Sequence, residues 1–188
     1  MLNHHHITSV APGSLALCAI LLVTDPVHAI VLESWDNQIN SPIRFKVLSD
    51  FNSEAVLDKE SQLVWERSPG DIDRDGDVDL NDTQTWANAR VICAHQRTIG
   101  GRKGWRLPSF AELASLIDPS VAIPGPLLPP GHPFTNIQQI SYWSATTNAD
   151  SPTAAWGVSL GDGDVAFILK TETRFVWCVR GGMNADQY

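Results

Sequence analysis

The sequence predicts an α+β domain, two helices packed on short antiparallel sheets, and three observations predict it. Twelve Pro and thirteen Gly among 188 residues cut the chain into short elements, which speaks against a long helical bundle or coiled coil. Apolar residues alternate with period two near the start and again over the last third, as half-buried strands require. Between those regions, two stretches repeat at spacings of three and four, as helices require. Apolar content of 43% with 18% charged residues belongs to an ordered globular chain rather than a disordered one, and the length suits one domain. A pI near 5.0 and a formal net charge of −8 speak against a nucleic-acid binder with a broadly basic surface.

The chain opens on an address. Residues 14–23 form a mostly apolar run, too short for a spanning helix of about twenty residues and suited to the core of a signal peptide. Val27-His28-Ala29 supplies small or modest residues for a peptidase, so residues 1–29 are expected to be a signal peptide cleaved after Ala29, leaving a domain over 30–188. The n-region holds no Lys or Arg, only His4, His5 and His6; an uncleaved anchor or a mis-chosen start codon is the alternative. Leu17 before Cys18 speaks against a lipoprotein site. The expected destination is the periplasm, the cell surface or the medium, with no stable membrane span after cleavage. Losing residues 1–29 removes Asp25 and no base, so −8 becomes −7.

Residues 44–48 and 55–57 read as strands, Asp58-Lys59-Glu60-Ser61 as a polar turn, and Leu63-Val64-Trp65 as a returning strand, giving a hairpin over 55–66. Trp86, Ala89, Arg90 and Cys93 predict a helix over 83–96 that Gly100-Gly101 ends. Ser109 and Glu112 form a capping box for a second helix, whose apolar side is Leu113, Leu116 and Ile117 and whose stop is Pro119. Six of the prolines stand in residues 119–133, which forbids helix or ladder there and predicts a long ordered loop. Strands follow over 141–144, 155–160, 165–170 and 175–180. Gly161-Asp162-Gly163-Asp164 reads as the turn of a hairpin, a second cation site being the alternative. The Trp residues read as mostly core, with one or two exposed rings.

Removing Cys18 with the leader leaves Cys93 and Cys178. An even pair in an exported chain predicts one disulfide, and closing so long a loop restricts the unfolded chain by about 4.6 kcal/mol on the loop-entropy argument. Two free thiols, or one acting as nucleophile, are the alternatives.

The motif that carries chemistry is residues 71–82. Asp71, Asp73, Asp75, Asp77, Asp79 and Asp82 occupy its first, third, fifth, seventh, ninth and twelfth places, and Gly76 its sixth. That is the spacing of a calcium loop: six to eight hard oxygens must surround the ion, the glycine makes the sharp turn, and the seventh residue gives its carbonyl. Val78, at the eighth place, is expected to point away and pack. With six acids and one base the loop carries −5, a concentration of charge that Ca2+ would neutralise. Asp rather than Glu at the twelfth place resembles the dockerin variant, and Arg67-Ser68-Pro69-Gly70 stands where an EF-hand has its first helix. A solvated acidic loop is the alternative.

Residues 83–111 then hold no acid and five bases: Arg90, Arg97, Arg102, Lys103 and Arg106. They read either as local complementation on a solvated face or as a patch for sulfated or acidic glycans. His95 and His132 lack partners, Ser144 has no elbow sequence, and no catalytic triad assembles.

Several stretches together resemble one family: Arg44-Phe45 with Ala55-Val56-Leu57-Asp58-Lys59-Glu60 and Leu63-Val64-Trp65-Glu66-Arg67-Ser68-Pro69; Gly104-Trp105-Arg106-Leu107-Pro108 with Glu112-Leu113; Gly131-His132-Pro133-Phe134; Tyr142-Trp143-Ser144; and Cys178-Val179-Arg180-Gly181-Gly182. The chain resembles the Lcl C-terminal domain family (Legionella collagen-like protein C-terminal domain) from about Arg44 to Gly182. The resemblance implies an exported protein with a C-type-lectin-like fold, distantly similar to formylglycine-generating enzymes around Arg106-Leu107-Pro108 and Glu112. It also implies adhesion and glycosaminoglycan binding, associated with the founding member. The chain carries no collagen-like repeat and no Glu-Pro-Asn or Trp-Asn-Asp signature, so neither the trimeric adhesin architecture nor lectin-type sugar coordination by calcium is carried over.

The expectation is an exported, calcium-stabilised binding module for surface carbohydrate or a surface protein, without catalysis. An enzyme related to formylglycine-generating sulfatase modifiers and a structural component of the cell surface are the rivals.

Overall fold

In the computed structural model, residues 44–72 and 77–181 are described; the expected signal peptide, and Asp73 and Asp75 of the acidic loop, lie outside them. In chain order the strands are β1 (Phe45–Leu48), β2 (Ala55–Asp58), β3 (Leu63–Glu66), β4 (Gln84–Thr85), β5 (Ser141–Thr147), β6 (Ala154–Ser159), β7 (Val165–Leu169), β8 (Thr173–Arg174) and β9 (Val179–Arg180). The α-helices are α1 (Trp86–Val91) and α2 (Phe110–Ala114). The strands form three antiparallel sheets, β1-β2-β3-β9, β4-β8 and β5-β6-β7. The mixed α+β class read from the sequence is what the chain adopts.

Both expected hairpins form. β2 and β3 pair from Ala55↔Glu66 to Asp58↔Leu63, and β6 and β7 pair from Ala154↔Leu169 to Val158↔Val165. Gly161–Asp164 is the turn between the latter: Gly163 donates to the Ser159 carbonyl and Asp164 to the Asp162 side chain.

Two apolar clusters fill the interior, and one segment supplies both. Phe175, Trp177 and Val179 enter the first core with Trp65, Tyr142 and Leu113. Val176 and Cys178, pointing the other way, enter the second with Trp105, Trp143 and Ile92. This two-residue alternation is the geometry of extended chain, and burial on both faces explains why residues 175–179 are apolar throughout. In the first core, Trp177 packs edge-on against Trp65 and Phe134, with ring centroids 5.3 and 5.0 Å apart.

The structure corrects three boundaries. The first helix starts at Trp86 rather than Thr83, because Gln84 and Thr85 are drawn into pairing with Arg174 and Thr173; beyond Val91 it widens into a π-helix over Ile92–Gln96. The capping box forms as expected, Ser109 accepting from Glu112 N–H and Glu112 from Ser109 N–H. The helix nonetheless ends at Ala114, since the Asp118 amide turns to the Leu127 carbonyl at 2.8 Å. Of the strand read over 175–180, only Val179–Arg180 joins the first sheet. Upstream, Phe175 bonds to Ser141 and Trp143 beside β5, so the segment crosses from one sheet to another. The proline-rich stretch contains no helix or strand, yet Leu127 and Leu128 are buried from it.

A charged pair closes the edge of the first core. Arg44 donates from Nε and Nη2 to Asp58 at 3.0 and 2.8 Å, and Nη2 also reaches the Ser115 carbonyl at 3.0 Å, tying β1 to the end of α2. Asp58 is fully buried and Arg44 nearly so. Burial pushes the Asp58 carboxyl up, but Arg44 and Ser61 outweigh it and hold it below the ordinary carboxylate value. Arg44→Met, which keeps the packing and strands Asp58, is expected to lower the unfolding free energy by about 3–5 kcal/mol. Denaturant titration checks this, and an unchanged midpoint contradicts it.

Candidate functional site

The acidic loop returns to the fold at Val78, partly buried against the first core as expected. Gly70 lets it do so: a Cβ there would stand 2.6 Å from a Val78 methyl. Next comes a 3₁₀ turn over Leu80–Asp82, with Asp79 as its N-cap. Asp79 accepts from Asn81 N–H at 2.7 Å, and Asp82 accepts from the N–H groups of Asp79 and Ile72. These bonds bring Asp77, Asp79 and Asp82 together, with one carboxylate oxygen from each lying within 4.8 Å of the others. Calcium holds its oxygens at about 2.3–2.6 Å, so three oxygens at these separations can meet on one ion. Asp71 is not in the cluster, but its Oδ1 is buried and has no hydrogen-bond partner among the described residues. The donor set is all hard oxygen, the chemistry Ca2+ prefers.

The five bases have separate surroundings. Arg106 makes a fork to Glu112 at 2.8 and 2.7 Å and reaches the Gly181 carbonyl. Burial raises the Glu112 carboxyl, and Arg106 with Ser109 more than reverses it. Arg97 pairs with Glu66 at 3.1 Å. Arg90 lies over the Trp86 ring at 4.8 Å, and Lys170 stands 4.0 Å from its centroid. Arg102 covers the Phe51 ring at 4.7 Å, and Arg180, which the reading of the basic stretch left out, stands 5.8 Å from the same ring. Lys103 is exposed beside them. Among the described residues, Arg102, Lys103 and Arg180 make no ion pair. The local complementation therefore runs to Glu66 and Glu112, while Arg102 and Arg180 meet on Phe51 and Arg90 and Lys170 on Trp86.

Cys93 and Cys178 form the expected disulfide, with S–S 2.02 Å and both residues fully buried. It joins the π-helix to the segment entering β9. Neither is a free thiol.

Glu66 is a site residue that sequence reasoning missed. It ends β3 almost fully buried, and its own N–H donates to the Cys178 carbonyl. Burial lifts the carboxyl to about 7 against the downward pull of Arg97. Glu66 and Arg97 line a cleft of about 430 Å³ with Ser53, Glu54, Thr98 and Thr135 among its other walls. The only signal in the sequence is an acid directly after the buried Leu63-Val64-Trp65 run.

With this geometry the family is decided by one match: the Lcl C-terminal domain family covers residues 54–180, about two thirds of the chain. The chain belongs to the Lcl C-terminal domain family. No curated protein matches it. Membership in this family suggests a surface-associated module. The acidic cluster, the Glu66–Arg97 pair and the disulfide lie within the matched span, while Arg44, Phe51 and Ser53 stand just before it.

An unfolded Glu ionises near 4.5, whereas folded Glu66 keeps its proton to about 7. Between those values the folded chain binds a proton that the unfolded chain has released, so stability falls as pH rises through the window. Glu66→Gln is expected to remove that decline. His132, lowered by burial, titrates in both proteins and cancels in the comparison. Denaturant midpoints at about pH 5 and about pH 8 check this, and equal pH slopes for the two proteins contradict it.

Proposed function

We propose that this protein is an exported, surface-associated binding module of C-type-lectin-like fold, steadied by Ca2+, that recognises anionic carbohydrate and performs no catalysis. The observation that carries the reading is the group on Phe51: two guanidinium groups over one ring, with the exposed Lys103 next to Arg102 in the chain and none of the three in an ion pair among the described residues. Guanidinium forks match the planar, charge-bearing oxygens of sulfate and carboxylate, and a ring beneath fixes their orientation. The net charge of −8 makes such a cluster a local feature rather than part of a broadly basic surface.

Short antiparallel sheets, two short helices and one buried disulfide support the lectin-like architecture, as does the family. The dodecapeptide spacing and the Asp77, Asp79 and Asp82 oxygens support calcium, with Asp71, Asp73 and Asp75 as the further ligands. The ion would fix the approach to β4 and α1. The bridge between Cys93 and Cys178 supports binding over thiol catalysis.

On immobilised heparin, wild-type protein is expected to be retained and to elute with rising salt, because exposed charge pairs are screened. Arg102→Ala with Arg180→Ala is expected to weaken binding about tenfold or more, while Lys46→Ala on β1 leaves it unchanged. Elution of the double variant with the wild type contradicts the reading. Calcium at a hundredfold excess over its Kd is expected to stabilise the fold by about 2.7 kcal/mol, seen as a higher melting temperature that a chelator reverses. Asp71→Ala and Asp75→Ala are expected to abolish that shift and Asp162→Ala to keep it; a melting curve indifferent to CaCl2 contradicts the calcium site.

A further inference from the structure

The cleft beside Glu66 is separate from the cations on Phe51 and asks for a different ligand. Its volume of about 430 Å³ is at the small end of ligand pockets, which run to about 300–1,000 Å³. The floor is Glu66, 5% exposed, and the guanidinium of Arg97 that pairs with it at 3.1 Å. On the walls, Arg67 donates to the carbonyls of Pro133 and Ser53, and Glu54 accepts from Gly100 N–H at 2.6 Å. Two acids and two bases thus cancel, and each is engaged by the protein itself. The hydroxyls of Ser53, Thr98 and Thr135 stand exposed around this floor. They have no protein partner among the described residues.

This chemistry selects among ligands. An apolar molecule finds only Ile99 to cover it. An anion meets the carboxylates of Glu54 and Glu66, and a cation meets two guanidinium groups. A zwitterion brings charges that the already paired Glu66 and Arg97 do not need, and separating that buried pair costs several kcal/mol. A neutral ring carrying several hydroxyls needs none of these changes: it exchanges hydrogen bonds with three free hydroxyls and uses the remaining lone pairs and N–H groups of an already neutral floor. We propose that this cleft binds one neutral polyhydroxylated ring, a pyranose or a cyclitol, held by Ser53, Thr98 and Thr135 over the Glu66–Arg97 pair. Here Glu66 is a positioning residue that holds Arg97 in place. The proposal stands whether or not Arg102 and Arg180 hold an anionic chain.

The test is amide NMR of the full chain titrated to millimolar concentration with methyl α-D-mannopyranoside, methyl β-D-galactopyranoside, methyl β-D-glucopyranoside and myo-inositol, against glycine and D-glucuronate. The expected result is a saturable shift at Ser53, Thr98 and Thr135 with at least one neutral probe. Thr98→Val with Thr135→Val is expected to weaken it about tenfold or more, with the disulfide intact and the remaining spectrum unchanged. Arg102→Ala with Arg180→Ala is expected to leave it as it is, which separates this site from the heparin surface. No saturable shift with any neutral probe overturns the proposal. So does tighter binding of glycine or glucuronate, or full affinity in the Thr98→Val, Thr135→Val protein.

Discussion

Two adjacent residues hold both ends of the basic loop. Cys178 is bonded through sulfur to Cys93, in the first turn of the π-helix that leads into the loop, and Val179 exchanges both backbone hydrogen bonds with Arg106, where the loop rejoins the fold, at 2.8 and 2.9 Å. Everything between is pinned at its base. Ile99 and Arg102 bridge to each other across Gly100 and Gly101, both at positive φ, which a Cβ would strain. Trp105, 2% exposed, packs edge-on against Phe51. The positions of Arg97 over its cleft and of Arg102 above Phe51 follow from that clamp, as does the meeting of Arg102 with Arg180, two residues beyond Cys178.

Three ion pairs repeat the same device at other seams. Arg44 and Asp58 tie β1 and β2 to the end of α2, Arg97 and Glu66 tie the loop to β3, and Arg106 and Glu112 tie it to the start of α2. Each takes charge out of water, which is costly without further hydrogen bonds, and two of the three are well supplied: Asp58 also accepts from Ser61 and the Glu60 amide, and Glu112 from the Ser109 amide. Glu66 is the poor one, its second oxygen 3.5 Å from the Cys178 amide. Burial pushes its carboxyl up and so few bonds leave that push unanswered, whereas at Asp58 and Glu112 the bonds outweigh burial.

The local elements were legible because their signals are local. Ser109 and Glu112 specify a helix start within four residues, and Gly161–Asp164 specifies a hairpin turn between two alternating runs. The pairing of Cys93 with Cys178 followed from setting Cys18 aside with the expected leader, which leaves two. Boundaries set by distant partners were not legible: nothing near Thr83 announces that Arg174 will claim the strand before α1, and nothing near Leu116 announces that Leu127 will end α2. The binding surfaces divide the same way. The charge of the basic stretch could be counted in sequence, but not that Arg97 and Arg106 are engaged with Glu66 and Glu112, nor that Arg180 replaces them beside Arg102. Glu66 is invisible as a site because its environment is assembled from β3, the loop and the turn after β1, far apart in the chain.

The proposed function then rests on that clamp: a cation-bearing loop held at both ends, on a domain whose family suggests a surface-associated module. The most direct measurement is retention on a sulfated polysaccharide before and after the disulfide is reduced in native buffer, with circular dichroism confirming that the sheets persist. The account predicts that opening Cys93–Cys178 frees one end of the loop and abolishes or sharply weakens retention while the β-sheet signal remains. Undiminished retention by the fully reduced, folded protein would contradict it.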